Sequence, residues 1–490
     1  MNGTVRRILL TLVSVVALGA LVACGDSGNH TPRTPVGGNN AGFSNASLKG
    51  NYVFSANGAT SSFSYAVAGV FTADGAGNIT SGLRDTVNDG GNQTLNEQIK
   101  GTYIVNQDGR GQVNLKGSSE EVIYRFVMQS AASASLFQIS TNADAVGRIE
   151  LQTSVPTQLS GTYIIRLDGE DLNLNPYGTI GGLTFTGTSI TGTIDENDAG
   201  TFRPQLAATG STVSPALTGR STFTYTTAKG THNLIAYWVS PSRVELISSD
   251  KNFFLYGDAD LQTSVAGTVA SFAGNEVIKT SGFTSNGPIL ETGRLTLDGT
   301  GNLTSAIEDY NEEGVYYDGV TFGGTYAVDA TGRWNATLTY PTSTLGLVGW
   351  QVSPQQSTVL VTVSNRPNYN IVETGTMRAQ TVGLTAASVT GNYAEILSGF
   401  LVGSGKAESG GNFSANGAGN LNGTVDSQTQ DNVSSNVSES GTYSVTDSNG
   451  RGSGTIGTVP LRVYTVDANT LYMISTDSKR LYQGMMSKQQ

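Results

Sequence analysis

The sequence is poor in the side chains that carry most metal and nucleophile chemistry. Its 490 residues include one cysteine and two histidines, and charged residues make up only 13%. So few sulfur and imidazole ligands exclude a zinc site, and a lone cysteine allows no disulfide within the chain. Acidic residues outnumber basic ones by 38 to 27, which leaves no basic patch for phosphates. Nucleic-acid binding is therefore not expected.

Glycine and tyrosine, by contrast, are abundant, at 63 and 20 residues. Together with many Thr, Ser and Asn residues they indicate half-buried strands joined by tight turns, not amphipathic helices. The chain is also long enough for several domains, each with its own core. The composition therefore predicts an all-β protein of several domains.

The first residues have the pattern of an export signal. Arg6 and Arg7 precede an apolar run over residues 8–22, which ends in Leu21-Val22-Ala23-Cys24. This arrangement resembles a bacterial lipoprotein signal peptide with its lipobox, because the apolar run is short for a membrane span and small residues precede the cysteine. The resemblance implies cleavage before Cys24, acylation of its thiol and anchoring in the cell envelope, with the outer membrane favoured. An ordinary signal peptide with a coincidental cysteine is the alternative.

Beyond the signal peptide (1–23), the chain divides into a tether and four repeats. Residues 24–47 are rich in Gly, Asn, Pro and Ser without periodicity, which is typical of a flexible tether. The rest repeats itself with a period of roughly 110 residues, which indicates an array of domains. We predict four β-domains at 48–153, 157–263, 268–381 and 388–487, joined by short extended linkers.

A turn with the sequence Asp-Gly-x-Gly-Asn stands near the start of these repeats. It occupies 74–78 and 298–302, recurs at 416–420 with Asn416 in place of the aspartate, and has a weaker echo before Asp195. Such a turn between alternating apolar runs predicts a tight antiparallel hairpin. Its oxygens could bind Ca²⁺, but one carboxylate and one amide fall short of the six or more oxygens that calcium needs. The hairpin interpretation is favoured, and no cofactor is predicted.

Other landmarks recur in the same order. A Gly-x-Tyr opens three repeats, whereas the third offers only Phe272; a Gly-Arg turn follows in all four; and Gln152, Gln262 and Gln380 end the first three. Eight short strands per repeat in strict succession predict an up-and-down meander that closes into an eight-stranded barrel. A two-sheet sandwich is the alternative. The strand count is similar to lipocalin-like and avidin-like barrels, in architecture alone.

One pair of opposite charges recurs in every repeat, an aspartate at the end of a hairpin and the arginine of the Gly-Arg turn. The pairs are Asp85 with Arg110, Asp195 with Arg220, Asp309 with Arg333, and Asp426 with Arg451. In an up-and-down sheet, the two residues of one repeat are expected about two strands apart near one rim. A structural salt bridge is the favoured interpretation, and a charged mouth that grips a polar ligand is the alternative.

Candidates for catalysis are few. His232 starts a predicted strand, and no Gly-x-Ser-x-Gly elbow accompanies it, so a Ser-His-Asp triad is not supported. Acidic dipeptides at Asp195-Glu196, Glu308-Asp309 and Glu312-Glu313 leave a glycosidase-type carboxylate pair open. The aromatic residues, including Tyr237 and Trp350, fit core filling better than the lining of a cavity.

We therefore expect a lipid-anchored envelope protein with a non-catalytic binding, adhesion or structural role. Its expected partners are the membrane, through acyl chains on Cys24, and a glycan, lipid or protein ligand. A polysaccharide-active hydrolase is one alternative, and it needs two carboxylates that converge in an open cleft. A carrier of a small apolar ligand is the other, and it needs an unfilled barrel lumen.

Overall fold

The computed structural model describes residues 42–118, 120–140, 143–265, 267–366, 369–429, 432–446 and 450–490. The predicted signal peptide, Cys24 and most of the predicted tether lie outside these residues. The tether is shorter than predicted, because Phe43 is buried against the first core and residues 45–47 form a 3₁₀ turn. No helix in the described ranges is long and apolar enough to cross a bilayer.

Thirty-two strands make up nearly all of the described chain. The first eight are β1 (Lys49–Thr60), β2 (Ser64–Asp74), β3 (Asn78–Asn88), β4 (Gln93–Val105), β5 (Arg110–Lys116), β6 (Glu121–Ser130), β7 (Ser133–Gln138) and β8 (Ala143–Leu151). The next eight are β9 (Ser160–Asp171), β10 (Pro176–Thr186), β11 (Ser189–Asp198), β12 (Thr201–Thr212), β13 (Arg220–Thr227), β14 (Gly230–Ser240), β15 (Arg243–Ser248) and β16 (Phe253–Leu261).

The second half repeats this order. It begins with β17 (Ala273–Thr284), β18 (Pro288–Asp298), β19 (Asn302–Glu312), β20 (Val315–Val328), β21 (Arg333–Thr339), β22 (Thr344–Ser353), β23 (Gln356–Ser364) and β24 (Ile371–Ala379). It continues with β25 (Thr390–Leu401), β26 (Gly405–Asn416), β27 (Asn420–Thr429), β28 (Asn432–Tyr443), β29 (Arg451–Ile456), β30 (Val459–Asp467), β31 (Thr470–Ser475) and β32 (Arg480–Lys488). Short 3₁₀ turns at Asn45–Ser47, Val269–Ser271 and Ala386–Ser388 precede the first, third and fourth sets.

Each set of eight strands closes into an antiparallel up-and-down barrel. In the first barrel β1 pairs with β2 on one side and with β8 on the other, and Tyr52 faces Phe71 and Leu151 in the two ladders. The prediction of four eight-stranded barrels is confirmed, and the sandwich alternative is wrong. Closure pairs the edges of each sheet, which would otherwise be open to unwanted strand pairing.

The Asp-Gly-x-Gly-Asn turn is held by its own hydrogen bonds. Asp74 Oδ1 accepts the backbone N–H groups of Ala76 and Asn78, and Oδ2 accepts the Asn78 side-chain amide. These bonds, the side-chain one first, lower the pKa of Asp74 to about 2. Asn416 accepts the equivalent two backbone groups through its amide oxygen, so the turn forms without a carboxylate. This explains why aspartate and asparagine interchange at the position.

The barrel interiors are filled by side chains. In the first barrel Tyr52, Phe54, Phe71, Tyr124 and Phe126 are all buried in one apolar cluster. The lumen of the fourth barrel holds a cavity of only about 10 Å³, which is about the volume needed for one water molecule. Neither interior has room for a small apolar ligand, and this argues against the carrier alternative.

The third barrel departs from the others at its opening landmark. Glu276 faces Leu295 and Ala379, as Tyr52 faces its partners in the first barrel, so Gly274-Asn275-Glu276 replaces Gly-x-Tyr. The equivalence is hidden in the sequence because a glutamate stands where the other three repeats have a tyrosine. Burial raises the pKa of Glu276 to about 8, so the carboxyl is mostly protonated at neutral pH.

Restoring the tyrosine should stabilise the third barrel. In three barrels the tyrosine hydroxyl donates to a carbonyl in the turn after the sixth strand, namely that of Ala131, Pro241 or Ala468. We expect Glu276→Tyr to raise the free energy of unfolding by about 2 kcal/mol at pH 8, because a buried carboxyl is removed. Denaturation at pH 8 and pH 5 measures this, and the gain should be smaller at pH 5, where protonating the carboxyl on folding costs less free energy than at pH 8.

The four barrels pack side by side in a closed ring. Strands one to three of each barrel lie against strands six to eight of the next, and the fourth barrel lies against the first. Neighbouring barrels lie with their equivalent ends together. At one end of the first and second barrels Gln152 donates to the Trp238 carbonyl, and at the other end Gln93 donates to the Ser249 carbonyl. The ring therefore has two faces. The chain enters β1 on one, and the turns between third and fourth strands lie on the other.

Candidate functional site

The four charge pairs join neighbouring barrels. Arg220 donates to Asp85 through Nε (2.6 Å) and Nη2 (3.2 Å), although the two residues belong to different barrels. Arg333 contacts Asp195 at 2.8 and 2.7 Å, and Arg451 contacts Asp309 at 2.8 and 2.7 Å. The fourth pair, Arg110 Nη1 with Asp426 Oδ1 at 3.1 Å, closes the circle. Each aspartate thus pairs with the arginine of the next barrel, not with that of its own repeat as the sequence predicted.

Two further groups hold Asp85, Asp195 and Asp309 in place, and the first of them also holds Asp426. A residue of the fourth strand in its own barrel takes a positive φ, as Asn96 does at 56°, and turns its N–H toward the carboxylate at 2.7 Å. An aromatic side chain of the next barrel donates a second bond: Tyr237 to Asp85, Trp350 to Asp195, and Tyr464 to Asp309. These aspartates are fully buried, so their charge is balanced by directed donors from two barrels.

A glutamine after each barrel completes the junction with the next. Gln152, Gln262, Gln380 and Gln489 donate to carbonyls of the following barrel at 2.7–2.8 Å. Each lies against the glycine of a Gly-Arg turn, where φ is +81° to +85°. A Cβ on that glycine would come within 2.3–3.2 Å of the glutamine Nε2. The Gly-Arg landmark therefore reflects a left-handed turn with a neighbouring barrel pressed against it.

Apolar side chains pack around three of the junctions. Val53, Ala68 and Val70 of the first barrel form a buried cluster with Ile235 and Val239 of the second. Equivalent clusters lie at the other two junctions, around Trp350 and around Tyr464. Tyr237, Trp350 and Tyr464 therefore lie outside the barrels, whereas sequence analysis placed Tyr237 and Trp350 in the core.

The indole donor at the second junction gives a direct test. Trp350→Phe keeps most of the buried ring but removes the N–H that donates to Asp195 at 2.8 Å. Since hydrogen bonds to charged groups contribute about 1.5–3 kcal/mol, we expect a loss of about 2 kcal/mol in denaturation experiments. Trp334→Phe is the matched control, because its indole donates to the neutral Ser357 hydroxyl inside the barrel.

Part of this site was accessible from the sequence. The eight charged residues and three of the glutamines were found by their recurrence, but their partners were assigned within a repeat. The sequence carries no signal that separates the two pairings, because Arg110 and Asp426 are present as both pairing within a repeat and a closed ring require. Gln489 was missed because the other three glutamines were recognised by their place between two repeats.

The acidic dipeptides do not form a catalytic cleft. Because strand residues alternate between faces, Asp195 turns to the junction while Glu196 turns into the lumen, where Tyr177 and Arg203 bond to it. Glu308 and Glu373 also lie inside their barrel, almost completely buried. Burial raises the pKa of both. Glu196 therefore lies in the lumen of the second barrel and Glu308 and Glu373 in that of the third, and all three are buried.

His232 is a core residue. It is buried between Phe253 and Tyr225, with ring centroids 4.6 and 4.8 Å away. Burial lowers its pKa to about 4, so the imidazole is neutral at physiological pH. This setting gives the ring no access to a substrate.

Exposed strand edges are the clearest binding surface. In the fourth barrel β28 pairs with β27 from Asn432 onward but with β29 only from Gly441, so residues 432–440 lack a strand partner on one side among the described residues. The same is true of 315–322 and, apart from Glu97, of 93–99. We call these three segments the arms. Exposed apolar side chains lie along them, namely Leu95, Val315, Tyr317, Val433 and Val437.

The second barrel lacks a usable arm. The corresponding residues 201–208 contain Pro204, which donates no backbone hydrogen bond, and Phe202 packs against the third barrel. The arm of the fourth barrel has no charge from Asn432 to Ser438, and Asp318 in the third is paired with Arg451 and Arg462. Three arms thus present partly apolar edges on the face opposite the chain entry, and the charged residues along them are Asp318, Glu439 and Glu97, the last of which is paired with Arg84.

No protein-family model matches the chain, and no curated protein sequence matches it significantly. Solved structures that match include isotype 1 transferrin-binding protein B from serogroup B Neisseria meningitidis, at 8% identity and a TM-score of 0.21, covering 72% of this chain and 83% of that one. Another is a mutant of the vaccine antigen transferrin-binding protein B from Haemophilus parasuis, at 12% identity and a TM-score of 0.18, covering 72% and 82%. Such low values carry no argument about barrel arrangement or ligand.

Proposed function

We propose that the protein is a lipid-anchored, non-catalytic binding protein of the bacterial envelope, and that its arms bind extended polypeptide segments by strand addition. One observation carries the proposal: the three arms have strand edges without a ladder partner on one side, beside exposed apolar side chains. An unpaired strand edge offers main-chain donors and acceptors, and alternate side chains can supply specificity.

The ring favours this role in two ways. The arms lie on the face opposite the entry of the chain into β1, so a tether to Cys24 would direct them away from the membrane. Their number allows one partner with several extended segments to bind more tightly than each arm alone would. The filled lumens and closed carboxyl cluster give the carrier and hydrolase alternatives no comparable support.

Peptide binding tests the proposal. The soluble chain from residue 25 is titrated into a library of fluorescent twelve-residue peptides, with a glycan array and phosphatidylethanolamine–phosphatidylglycerol vesicles as parallel probes. We expect the number of peptides bound per chain to fall by one in the variant Val433→Lys with Val437→Lys, because two charges are placed along one of the three edges. Val213→Lys with Leu217→Lys is the matched control, since both residues are exposed away from the arms. Equal loss in both variants, or binding to glycans or vesicles alone, would overturn the proposal.

Anchoring has its own test. Cys24→Ser should abolish labelling of the chain by a radioactive or alkyne-bearing fatty acid and move it from the membrane to the soluble fraction. An unchanged distribution would contradict lipid attachment at Cys24 without affecting the proposal for the arms.

A further inference from the structure

The junction between the fourth and first barrels differs from the other three. Val127 stands where Tyr237, Trp350 and Tyr464 provide the aromatic donor, since each of these residues faces the arginine of its junction across a ladder. Arg110 also approaches Asp426 through one nitrogen only, at 3.1 Å, and that Nη1 makes no hydrogen bond. We name this junction the seam. It lacks both the pair of arginine hydrogen bonds and the aromatic donor that the other three junctions have.

Apolar packing is also weaker at the seam. Buried clusters join the first barrel to the second, the second to the third, and the third to the fourth. In the described ranges, no such cluster joins the fourth to the first, although Phe137 and Val127 are buried there and a Cβ on Gly410 would meet the Phe137 ring at 2.8 Å. Burial of apolar surface contributes about 25 cal/mol per Å², so separating the barrels at the seam costs less than at the other junctions.

Polar contacts hold the seam instead. The Gln428 side chain accepts the Ser140 N–H through its amide oxygen and donates to the Ser140 carbonyl through its amide nitrogen. Lys406 Nζ lies 3.3 Å from Asp144 Oδ1. The last residue, Gln490, donates its N–H to the Gln129 carbonyl at 2.9 Å. Water can replace such partners when the faces separate, so each contact contributes little net free energy. Arg110 and Asp426 are both buried, and they would regain hydration.

Chain connectivity adds to the difference. At three junctions a linker runs from the last strand of one barrel into the next, so the faces cannot move far apart. At the seam no covalent link exists within the described residues. The contact is also heterologous, because an aspartate face meets an arginine face, and such contacts can close a ring within one chain or join two chains.

We propose that the seam opens, and that the exposed faces of the first and fourth barrels then bind the matching faces of a second copy of this chain. The two seam faces of one chain are held near each other, so each meets the other at a higher effective concentration than it meets a second chain in dilute solution. The monomer therefore dominates under dilute conditions. The ring and the dimer contain the same seam contacts, so association becomes favourable when chains are crowded on one membrane, and a weaker seam only speeds the exchange between the two forms.

Mass photometry and light scattering of the soluble chain from residue 25 test this proposal. We expect a dimer isolated at high concentration to return to monomer on dilution at least fivefold faster in Arg110→Ala and in a chain ending at Lys488 than in the unaltered chain, because the seam must open first. Arg333→Ala is the matched control at a linked junction, and it should leave this rate unchanged.

Two further measurements identify the contact. A disulfide from Gln129→Cys with Gln490→Cys, in a chain with no other cysteine, should lock the monomer and abolish the dimer. In mixtures of isotopically heavy and light chains, carbodiimide should link Lys406 of one chain to Asp144 of the other within the dimer fraction. A dimer that persists in the locked chain, or no dimer in any variant, would overturn the proposal.

Discussion

Replacing Asp195 by asparagine should cost about 3 kcal/mol of unfolding free energy, because removing one partner of a buried ion pair leaves the other charge uncompensated. Asp195 is fully buried, and Arg333 has only 10% of its side chain exposed. The arginine would keep its position between the barrels without a counter-charge, while Trp350 and the Gln205 N–H would lose a charged acceptor. Urea denaturation of the soluble chain from residue 25 measures the loss.

Two aspartates provide matched controls for this variant. Asp298→Asn should change stability far less than Asp195→Asn, since the exposed turn tolerates asparagine and the fourth barrel already has Asn416 there. Asp426→Asn should cost less than Asp195→Asn, because the seam pair is a single contact. An Asp195→Asn variant as stable as Asp298→Asn would contradict the structural role of the junctions.

The free energy of unfolding should fall by about 5 kcal/mol between pH 6.5 and pH 8, because several buried carboxyls have raised pKa values. Burial raises the pKa of Glu276, Glu395 and Glu408 to about 8, and that of Glu291 to about 7. One oxygen each of Glu395 and Glu408 has no hydrogen-bond partner. A folded-state pKa above the unfolded one stabilises the protein fully below about pH 4.5. That contribution is lost as the pH rises through the folded value.

His232 and Lys279 add little to the change in unfolding free energy between pH 6.5 and pH 8. Burial lowers the pKa of His232 to about 4, so its contribution to stability changes only below about pH 6.5. Burial also lowers the pKa of Lys279 to about 8, and its contribution changes mainly above that pH. Melting temperatures at pH 6.5 and 8 give the measurement. Glu395→Gln with Glu408→Gln should flatten the profile, and a profile that stays flat in the unaltered chain would refute the assignment.

The sequence was sufficient for the fold because the information is local and repeated. Turn residues such as Asp74 and Gly75 act within a few positions, and the alternating strands between them set the number of strands per barrel. The same periodicity also separates Asp195 from Glu196 across the sheet. These features depend on neighbouring residues along the chain, so one sequence carries them.

The arrangement of the four barrels in a ring could not be predicted from such local features. Asp85 and Arg220 are far apart in sequence, and the repeat pattern fits a pair within one barrel equally well. Glu276 in place of tyrosine shows a second limit, since position in the ladder, not residue type, defines the equivalence. The arms were missed because an unpaired edge depends on where the next strand begins pairing, which the residues themselves do not indicate.

The closed ring is tested most directly by a zero-length cross-link across the seam. Lys406 Nζ and Asp144 Oδ1 are 3.3 Å apart, and both side chains are partly exposed. Carbodiimide treatment of the dilute monomer should join these two residues within one chain, as detected by mass spectrometry of the isolated monomer band. Lys406→Arg should abolish the product. Absence of the link, under conditions in which the Asp144 carboxyl is shown to react with an added amine, would contradict a ring of four barrels.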